Sequence, residues 1–132
     1  VPHSAYGLLR LARHAIHQRY ESRAWIWLHY AVVKLGRGEL FEALGMLSFF
    51  REQVLGPMLF RRANLPQRGV RRIEALGIDP DGLLTSTLAT HDRHSVGIAI
   101  RRAADAYVNL RADALPDNIA DDAARRAVLA ML

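Results

Sequence analysis

The chain has 132 residues, no cysteine and a composition that is 51% hydrophobic and 23% charged. This length is sufficient for one domain with a buried core, and the composition excludes wholesale disorder. The lack of cysteine excludes disulfides and thiolate chemistry, and no uninterrupted apolar run is long enough to predict a transmembrane helix. We therefore expect a single domain, 1–132, that lies in the cytoplasm and has no membrane partner.

The first part of the chain predicts two helices. Residues 4–20 have an amphipathic pattern with Ser4 as the N-cap. The segment that starts at Arg23 is apolar almost all round, with one stripe of Trp25, Leu28, Val32 and Leu35 and another of Ile26, Tyr30 and Val33. A helix without a polar face is predicted to be buried on every side. His29 is accordingly predicted to be a buried, hydrogen-bonded core residue.

Gly36 and Gly38 predict a turn that leads into a second central helix, which runs to about Leu55. One of its stripes points apolar side chains toward a core: Leu40, Leu44, Leu47 and Val54. A different stripe carries Glu39, Glu42, Gly45 and Glu52. We expect this helical hairpin to form the centre of the domain.

Glycine and proline divide the next part of the chain into short pieces. Gly56-Pro57 is predicted to weaken or end the second helix, with a continuation over 58–63 after a kink. A loop over 64–69 precedes a short helix over 70–76 that stops at Gly77. Asp79-Pro80 then predicts an N-cap and first helical position for another short helix that ends near Ala89.

The net charge of +5 is concentrated in this part of the chain, because residues 61–72 contain five arginines and no acidic residue. Arginine matches the geometry of phosphate oxygens, and backbone amides near Gly69 can add to such a site. Arg68, Arg71 and Arg72 are therefore candidates for contact with a nucleotide or a neighbouring domain; the alternative is a solvated charged face. The remainder of the chain is electrically balanced, so we do not expect a nucleic-acid partner.

The last part of the chain is again helical. Val96, Ile100, Ala103, Tyr107 and Leu110 share one face of a helix over 92–114. Pro116 ends that helix, and 117–132 forms a final one with Ile119, Ala123, Val128, Leu129 and Leu132 as its apolar residues. No useful stretch alternates with the period of a strand. The predicted fold is an all-α antiparallel bundle of four to five longer helices with short ones added.

The acidic stripe of the second helix is the best candidate site. Carboxylates at the start of a helix are stabilised by its dipole, so a purely structural role explains Glu39 and Glu42 well. Gly45 on the same stripe favours a functional role, because glycine within a helix costs about 1 kcal/mol relative to alanine and leaves the backbone open. Such a patch suits a cationic, hydroxyl-rich ligand or a general base that deprotonates a hydroxyl.

Two other patterns involve histidine. His91 and His94 have a spacing found in metal sites, but it loses its meaning if Asp92 caps the following helix, and we predict no metal site. Arg23 and His29 resemble the arginine–histidine pattern of HEPN ribonucleases, whose helical bundles cleave RNA at a dimer interface. That alternative requires both side chains to reach an exposed groove.

A family resemblance rests on Glu39-Leu40-Phe41-Glu42, Gly45, Arg51, Gln53 and Gly56-Pro57. This segment resembles the start of the helical C-terminal domain of kanamycin nucleotidyltransferase and, more broadly, the helical half of bacterial nucleotidyltransferase-like proteins. Some of those proteins carry the label oxalate:formate antiporter, which conflicts with a chain that has no predicted membrane span. The resemblance covers about 35 residues, 23–57, and departs from the aminoglycoside enzyme by an insertion after Gly45.

The resemblance implies that the chain is the C-terminal, acceptor-binding part of a longer protein and is not active alone. It implies an N-terminal domain of the same protein that binds Mg²⁺ and ATP through a Gly-Ser motif and paired aspartates, neither of which occurs in this chain. It also implies that Glu42 is a catalytic base and acceptor ligand and that Glu39 is a second acceptor ligand. The acceptor would be a small aminoglycoside-like or other hydroxyl-bearing molecule. The alternatives are the HEPN-like bundle and a helical interaction domain without chemistry, and the sequence leaves a homodimer open.

Overall fold

The computed structural model describes residues 21–113 and 121–132. The helices are α1 (21–36), α2 (Leu40–Phe50), α3 (Gly56–Arg62), α4 (Ile73–Leu76), α5 (Arg93–Arg111) and α6 (Asp122–Ala130). A π-helical turn, Arg51–Leu55, joins α2 to α3, and a 3₁₀ turn covers Thr85–Thr87. These ranges contain no strand, and the predicted all-α bundle is confirmed. None of their helices is both long and apolar enough to cross a bilayer. The predictions for 4–20, Pro116 and Ile119 lie outside the described residues.

Helix α5 is the central element of the bundle. Its predicted inner face is confirmed, because all five of its apolar residues are buried: Val96, Ile100, Ala103, Tyr107 and Leu110. Asp92 is the N-cap, and its carboxylate accepts a hydrogen bond of 2.8 Å from the amide of Ser95. Helix α5 contacts α2, the π turn, α3 and the 3₁₀ turn, so the core forms around it.

Helix α1 is buried along one face only, which corrects the prediction of a helix buried on every side. The buried face consists of Ala24, Trp25, Leu28, Ala31 and Val32. On the opposite side Ile26 is 63% and Tyr30 40% exposed. His29, predicted to lie in the core, is also exposed. An apolar composition does not tell a helix enclosed by neighbours from one that packs on a single side, and exposed apolar residues are common.

Helices α2 and α3 form one continuous rod, so Gly56-Pro57 does not end the helix. The amide of Gly56 donates to the carbonyl of Arg51, five residues earlier, which is the hydrogen bond of a π turn. In a regular α-helix the ring of Pro57 would clash with the carbonyl four residues before it. The wider turn accommodates the ring and lets the rod continue to Arg62.

Gly56 also allows the loop after α3 to pack against the rod. A Cβ atom added at Gly56 would lie 2.2 Å from the carbonyl oxygen of Gly69 and 2.7 Å from its carbonyl carbon. Gly69 itself has a φ of +61°, a left-handed conformation that glycine adopts without strain. Two glycines therefore fix the position of this loop.

The segment between the rod and α5 is less helical than predicted. Helix α4 begins at Ile73 and not at Val70, and it ends as predicted at Gly77, whose φ is +63°. The carboxylate of Asp79 accepts hydrogen bonds from the amides of Leu83 (2.8 Å) and Leu84 (2.9 Å). These bonds form a capped loop, and the helix predicted to reach Ala89 is replaced by the 3₁₀ turn.

Helix α6 is shorter than predicted in its described part, because it begins at Asp122. Asp121 is its N-cap and accepts a hydrogen bond of 2.9 Å from the amide of Ala124. Of the predicted apolar residues, Val128 is buried but Ala123 is exposed. The part of the prediction that covers 117–120 lies outside the described residues, and within them Asp121 caps the start of α6.

A buried carboxylate joins α1, α5 and the start of α6. Glu21 is 1% exposed, and its Oε1 accepts a 2.5 Å hydrogen bond from the hydroxyl of Tyr107. Its Oε2 accepts from Trp25 Nε1 (2.8 Å), Arg111 Nη1 (2.8 Å) and the amide of Asp121 (2.6 Å). Burial raises the pKa of Tyr107, and so does the contact with Glu21, so the phenol remains a hydrogen-bond donor.

The two glycines of the rod provide a matched test of the packing. We expect Gly56→Ala to lower the free energy of unfolding by about 1–3 kcal/mol or more, because the loop must move away from the new methyl group. A Cβ atom at Gly45 meets no atom within 4 Å, so Gly45→Ala should raise stability by about 0.5–1 kcal/mol through helix propensity. Urea unfolding followed by circular dichroism measures both. Equal effects of the two substitutions would contradict the close approach at Gly69.

The carboxylate of Glu21 is expected to be one of the main polar contributors to stability. Glu21→Gln should lower the free energy of unfolding by about 3–5 kcal/mol, because it removes the nearer and fully buried of the two carboxylates that pair with the part-buried guanidinium of Arg111. Asp122→Asn is the control: Asp122 also pairs with Arg111, but its side chain is 62% exposed, so a change of at most about 1 kcal/mol is expected. The same unfolding experiment distinguishes them, and a small effect of Glu21→Gln would refute this role.

Candidate functional site

The predicted acidic pair lies at the start of α2 and faces Lys34 near the end of α1. The ammonium Nζ of Lys34 is 3.0 Å from Oε2 of Glu39 and 3.2 Å from Oε2 of Glu42. This contact lowers the pKa of Glu39 and raises the pKa of Lys34. We call Lys34, Glu39 and Glu42 the acidic edge.

The acidic edge is accessible to solvent through its carboxylates. The side chains of Glu39 and Glu42 are 39% and 50% exposed, whereas that of Lys34 is 17% exposed. The Oε2 atom of Glu39 is nevertheless shielded from water, and the ammonium of Lys34 lies 3.0 Å from it. A ligand that reaches this oxygen must therefore displace the ammonium.

The surface of α2 beyond the acidic edge is open. Gly45 is exposed, and the space around its missing side chain is empty to 4 Å. In the first turn of α2, Phe41 is 82% exposed, and its ring centroid lies 4.5 Å from that of His91. The N-terminal part of α2 thus presents two carboxylates, a bare stretch of backbone and an aromatic side chain.

The five arginines of 61–72 divide into two groups. Arg62 forms an ion pair of 2.7 Å with Asp113 and a hydrogen bond of 2.9 Å with Asn109 Oδ1, and Arg61 donates to the carbonyl of Leu110 at 3.4 Å. These two residues attach α3 to α5. The other three remain exposed in the loop and, within the described ranges, form no ion pair with the acidic edge: Arg68, Arg71 and Arg72.

The histidine pattern before α5 loses its helical spacing, because Asp92 is the N-cap and His91 precedes the helix. Asp92 caps the helix, and the hydroxyl of Thr90, which donates to its carboxylate at 2.6 Å, lowers the pKa of Asp92. His91 packs against Phe41. Residues 21–113 and 121–132 contain no group of three or more side chains that could hold a metal ion.

Two polar residues with defined surroundings were not predicted as such. Nothing in the sequence separates Glu21 from an ordinary surface carboxylate, since its donors come from positions up to 100 residues away. Arg51 was singled out only within the family resemblance; it is half-buried and bonded to Thr87. The one signal in the sequence that points to Arg51 is its position as a cation directly after the largely apolar segment 46–50.

Comparison of the chain with protein-family models, with curated proteins and with solved structures found no match. The resemblance to nucleotidyltransferase-like proteins therefore stays a prediction from the sequence, and function has to be argued from the residues.

The pairing of Lys34 with Glu39 predicts a specific titration behaviour. The lowered pKa of Glu39 means that the pair stabilises the fold above the ordinary pKa of 4.5, and that this contribution is lost as the pH falls through the folded-state pKa. We expect Lys34→Met to raise the carboxyl midpoint of Glu39 toward 4.5 in a ¹³C NMR titration. Arg37→Met, which removes only a longer-range charge, should raise it less. An unchanged midpoint in Lys34→Met would show that the ion pair does not form in solution.

Proposed function

We propose that the chain is the helical acceptor-binding domain of a nucleotidyltransferase-like protein, and that the acidic edge binds a cationic, hydroxyl-bearing acceptor. The observation that supports this most directly is the state of the two carboxylates. Glu39 and Glu42 are half-exposed and share the ammonium of Lys34. An aminoglycoside-like molecule carries ammonium groups of the same kind, together with hydroxyls.

Ligand binding would exchange one ammonium for another. Lys34 is a flexible point charge, and solvent screens its ion pairs with the two half-exposed carboxylates, so another ammonium can compete with it. The ligand ammonium would then take the place of the Lys34 ammonium beside Oε2 of Glu39. Hydroxyl groups of the same ligand would add hydrogen bonds to a charged acceptor, each worth about 1.5–3 kcal/mol.

Glu42 is the candidate base because it is the more exposed of the two carboxylates. In the transfer reaction it would accept the proton of an acceptor hydroxyl, whose oxygen forms a bond to the α-phosphorus of ATP while pyrophosphate leaves. Glu39 would hold the acceptor in position. The ATP site itself belongs to the proposed N-terminal domain of the same protein, so the chain alone is expected to bind the acceptor without modifying it.

In this proposal the exposed arginines of the loop contact the nucleotide or the neighbouring domain. Arg68, Arg71 and Arg72 extend from a loop that Gly56 and Gly69 hold against the rod. A cationic loop of fixed position suits a contact with triphosphate oxygens or with an acidic face of the neighbouring domain.

The HEPN-like bundle remains the alternative, because the two side chains that it needs are accessible. It requires Arg23 and His29 to be accessible, and both are exposed on α1. Cleavage of single-stranded RNA by the chain, lost in His29→Ala, would favour that alternative.

The test measures acceptor binding by the chain itself, with kanamycin as the probe and calorimetry at about 0.15 M salt, where charges beyond about 8 Å are screened. Spermine, a polycation without hydroxyls, is the ligand control. Glu42→Gln should weaken kanamycin binding by about 10-fold or more, because a hydrogen bond to a charged group is lost. Lys34→Met should strengthen it by about two- to five-fold, since the competing ammonium is gone. Glu52→Gln, an exposed carboxylate on the π turn, should have no effect.

Two outcomes would overturn the proposal. One is that spermine binds as tightly as kanamycin and that Glu42→Gln and Glu52→Gln weaken binding equally, which indicates attraction to net charge alone. The other is that kanamycin and related hydroxyl-bearing amines do not bind. In a full-length protein that transfers nucleotides, Glu42→Gln should lower the rate by about 100- to 10,000-fold if Glu42 is the base.

A further inference from the structure

A cleft of about 380 Å³ lies where the π turn, α4 and the 3₁₀ turn meet. Its lining includes Arg51 and Glu74 together with the apolar side chains of Val70, Ile73, Leu84 and Leu88. None of these residues belongs to the acidic edge. We call it the Arg51 cleft.

Arg51 provides a cation that the described protein does not neutralise. Its Nη1 donates to the carbonyl oxygen of Thr87 at 3.0 Å and to the hydroxyl of Thr87 at 3.2 Å. Within 21–113 and 121–132 no carboxylate forms an ion pair with Arg51, and its Nε and Nη2 atoms donate to no protein acceptor. Burial lowers the pKa of Arg51, and the charge of Glu52, which forms no ion pair with it, raises that pKa by less.

The guanidinium is held in a fixed orientation. Thr87 is fully buried, and its hydroxyl donates to the carbonyl of Leu84 at 2.6 Å, which aims its lone pairs at Arg51. Arg51 also begins the π turn, and single π turns within helices are frequent at functional sites. A preoriented guanidinium presents two parallel N–H groups to a carboxylate or a phosphate.

The acidic residues of the cleft do not substitute for a ligand. Asp79, which also lines the cleft, directs both carboxylate oxygens to the amides of Leu83 and Leu84. Glu74 is exposed at the edge and has no ion pair in the described part of the chain. Its negative charge weakens the attraction of Arg51 for an anion, so removal of that charge should strengthen anion binding.

We propose that the Arg51 cleft binds a small organic anion, with its carboxylate or phosphate head on Arg51 and its apolar body against Val70, Ile73, Leu84 and Leu88. The volume is within the range of small-molecule pockets, and the apolar walls with one polar anchor are typical of them. This site is distinct from the acidic edge, whose ligand carries the opposite charge, so either proposal can fail without the other.

The test uses ¹H–¹⁵N NMR of the labelled chain with hexanoate and hexyl phosphate as probes and hexanol as the uncharged control. Both anions should cause saturable shifts of the Nε–H signal of Arg51 and of the amides of Ile73 and Thr87, and hexanol should not. A preference for one anion tells which head group the site suits.

Two exposed positions test the assignment without disturbing the core. Leu88 is 61% exposed, and Leu88→Glu should weaken hexanoate binding at least five-fold by placing a like charge at the edge of the cleft. Glu74→Gln should strengthen it about two- to five-fold, in line with the small energies of exposed charge pairs. Ile98→Glu and Asp105→Asn make the same changes on exposed positions of α5 that do not line the cleft, and should leave binding unchanged.

The proposal is wrong if hexanol produces the same shifts as the anions, if the shifts rise linearly without saturation, or if the cleft variants behave like their α5 controls. Arg51→Met should abolish binding. If that substitution unfolds the chain, Leu88→Glu and Glu74→Gln at the Arg51 cleft still test the proposal.

Discussion

Glu21 is the constraint on which the arrangement of the helices depends. A carboxylate withdrawn from water must have its lone pairs satisfied, and here the donors come from α1, from α5 and from the residue that caps α6. If one of these helices shifts by an ångström, the hydrogen bonds to Glu21 lengthen and the carboxylate is left without compensation. The apolar core favours compaction in general, whereas this network favours one register of α5 against α1.

Tyr107 connects that network to the core. Its hydroxyl bonds Glu21, while its ring meets Trp25 edge-on at a centroid distance of 5.4 Å and Phe50 at 6.3 Å. Phe50 is the last residue of α2, directly before the π turn. The same side chain therefore contacts both α1 and the end of α2, and it helps to position the rod on which both candidate sites lie.

Elements whose signals are local could be predicted from the sequence, and those that depend on distant partners could not. Helix α5 was predicted because Asp92 and a regular apolar period act within one helix. The start of α2 and its two glutamates were also found. Their partner Lys34 was not, because it belongs to the preceding helix and only the turn at 37–39 brings it across.

The wrong predictions have the same origin. His29 was assigned to the core from composition, but which side of α1 is covered depends on elements far along the chain. Asp79 was read correctly as a capping residue, yet its carboxylate bonds the amides of Leu83 and Leu84 in a loop with Gly82 at a φ of +67°, so no helix follows. Gly56-Pro57 was predicted to weaken or end the helix before a continuation over 58–63; the continuation is present, but the π turn that carries it has no simple sequence signature.

That π turn has a consequence for how chains of this kind can vary in length. It holds one residue more than the α-helical turn it replaces, so a chain that lost one residue within 51–55 would keep the packing of α2 and α3 on either side. The wider turn also accommodates the ring of Pro57, so such a shortening would require replacement of the proline as well. The length of the rod and the identity of residue 57 are therefore linked, and neither can change alone without a cost to the helix.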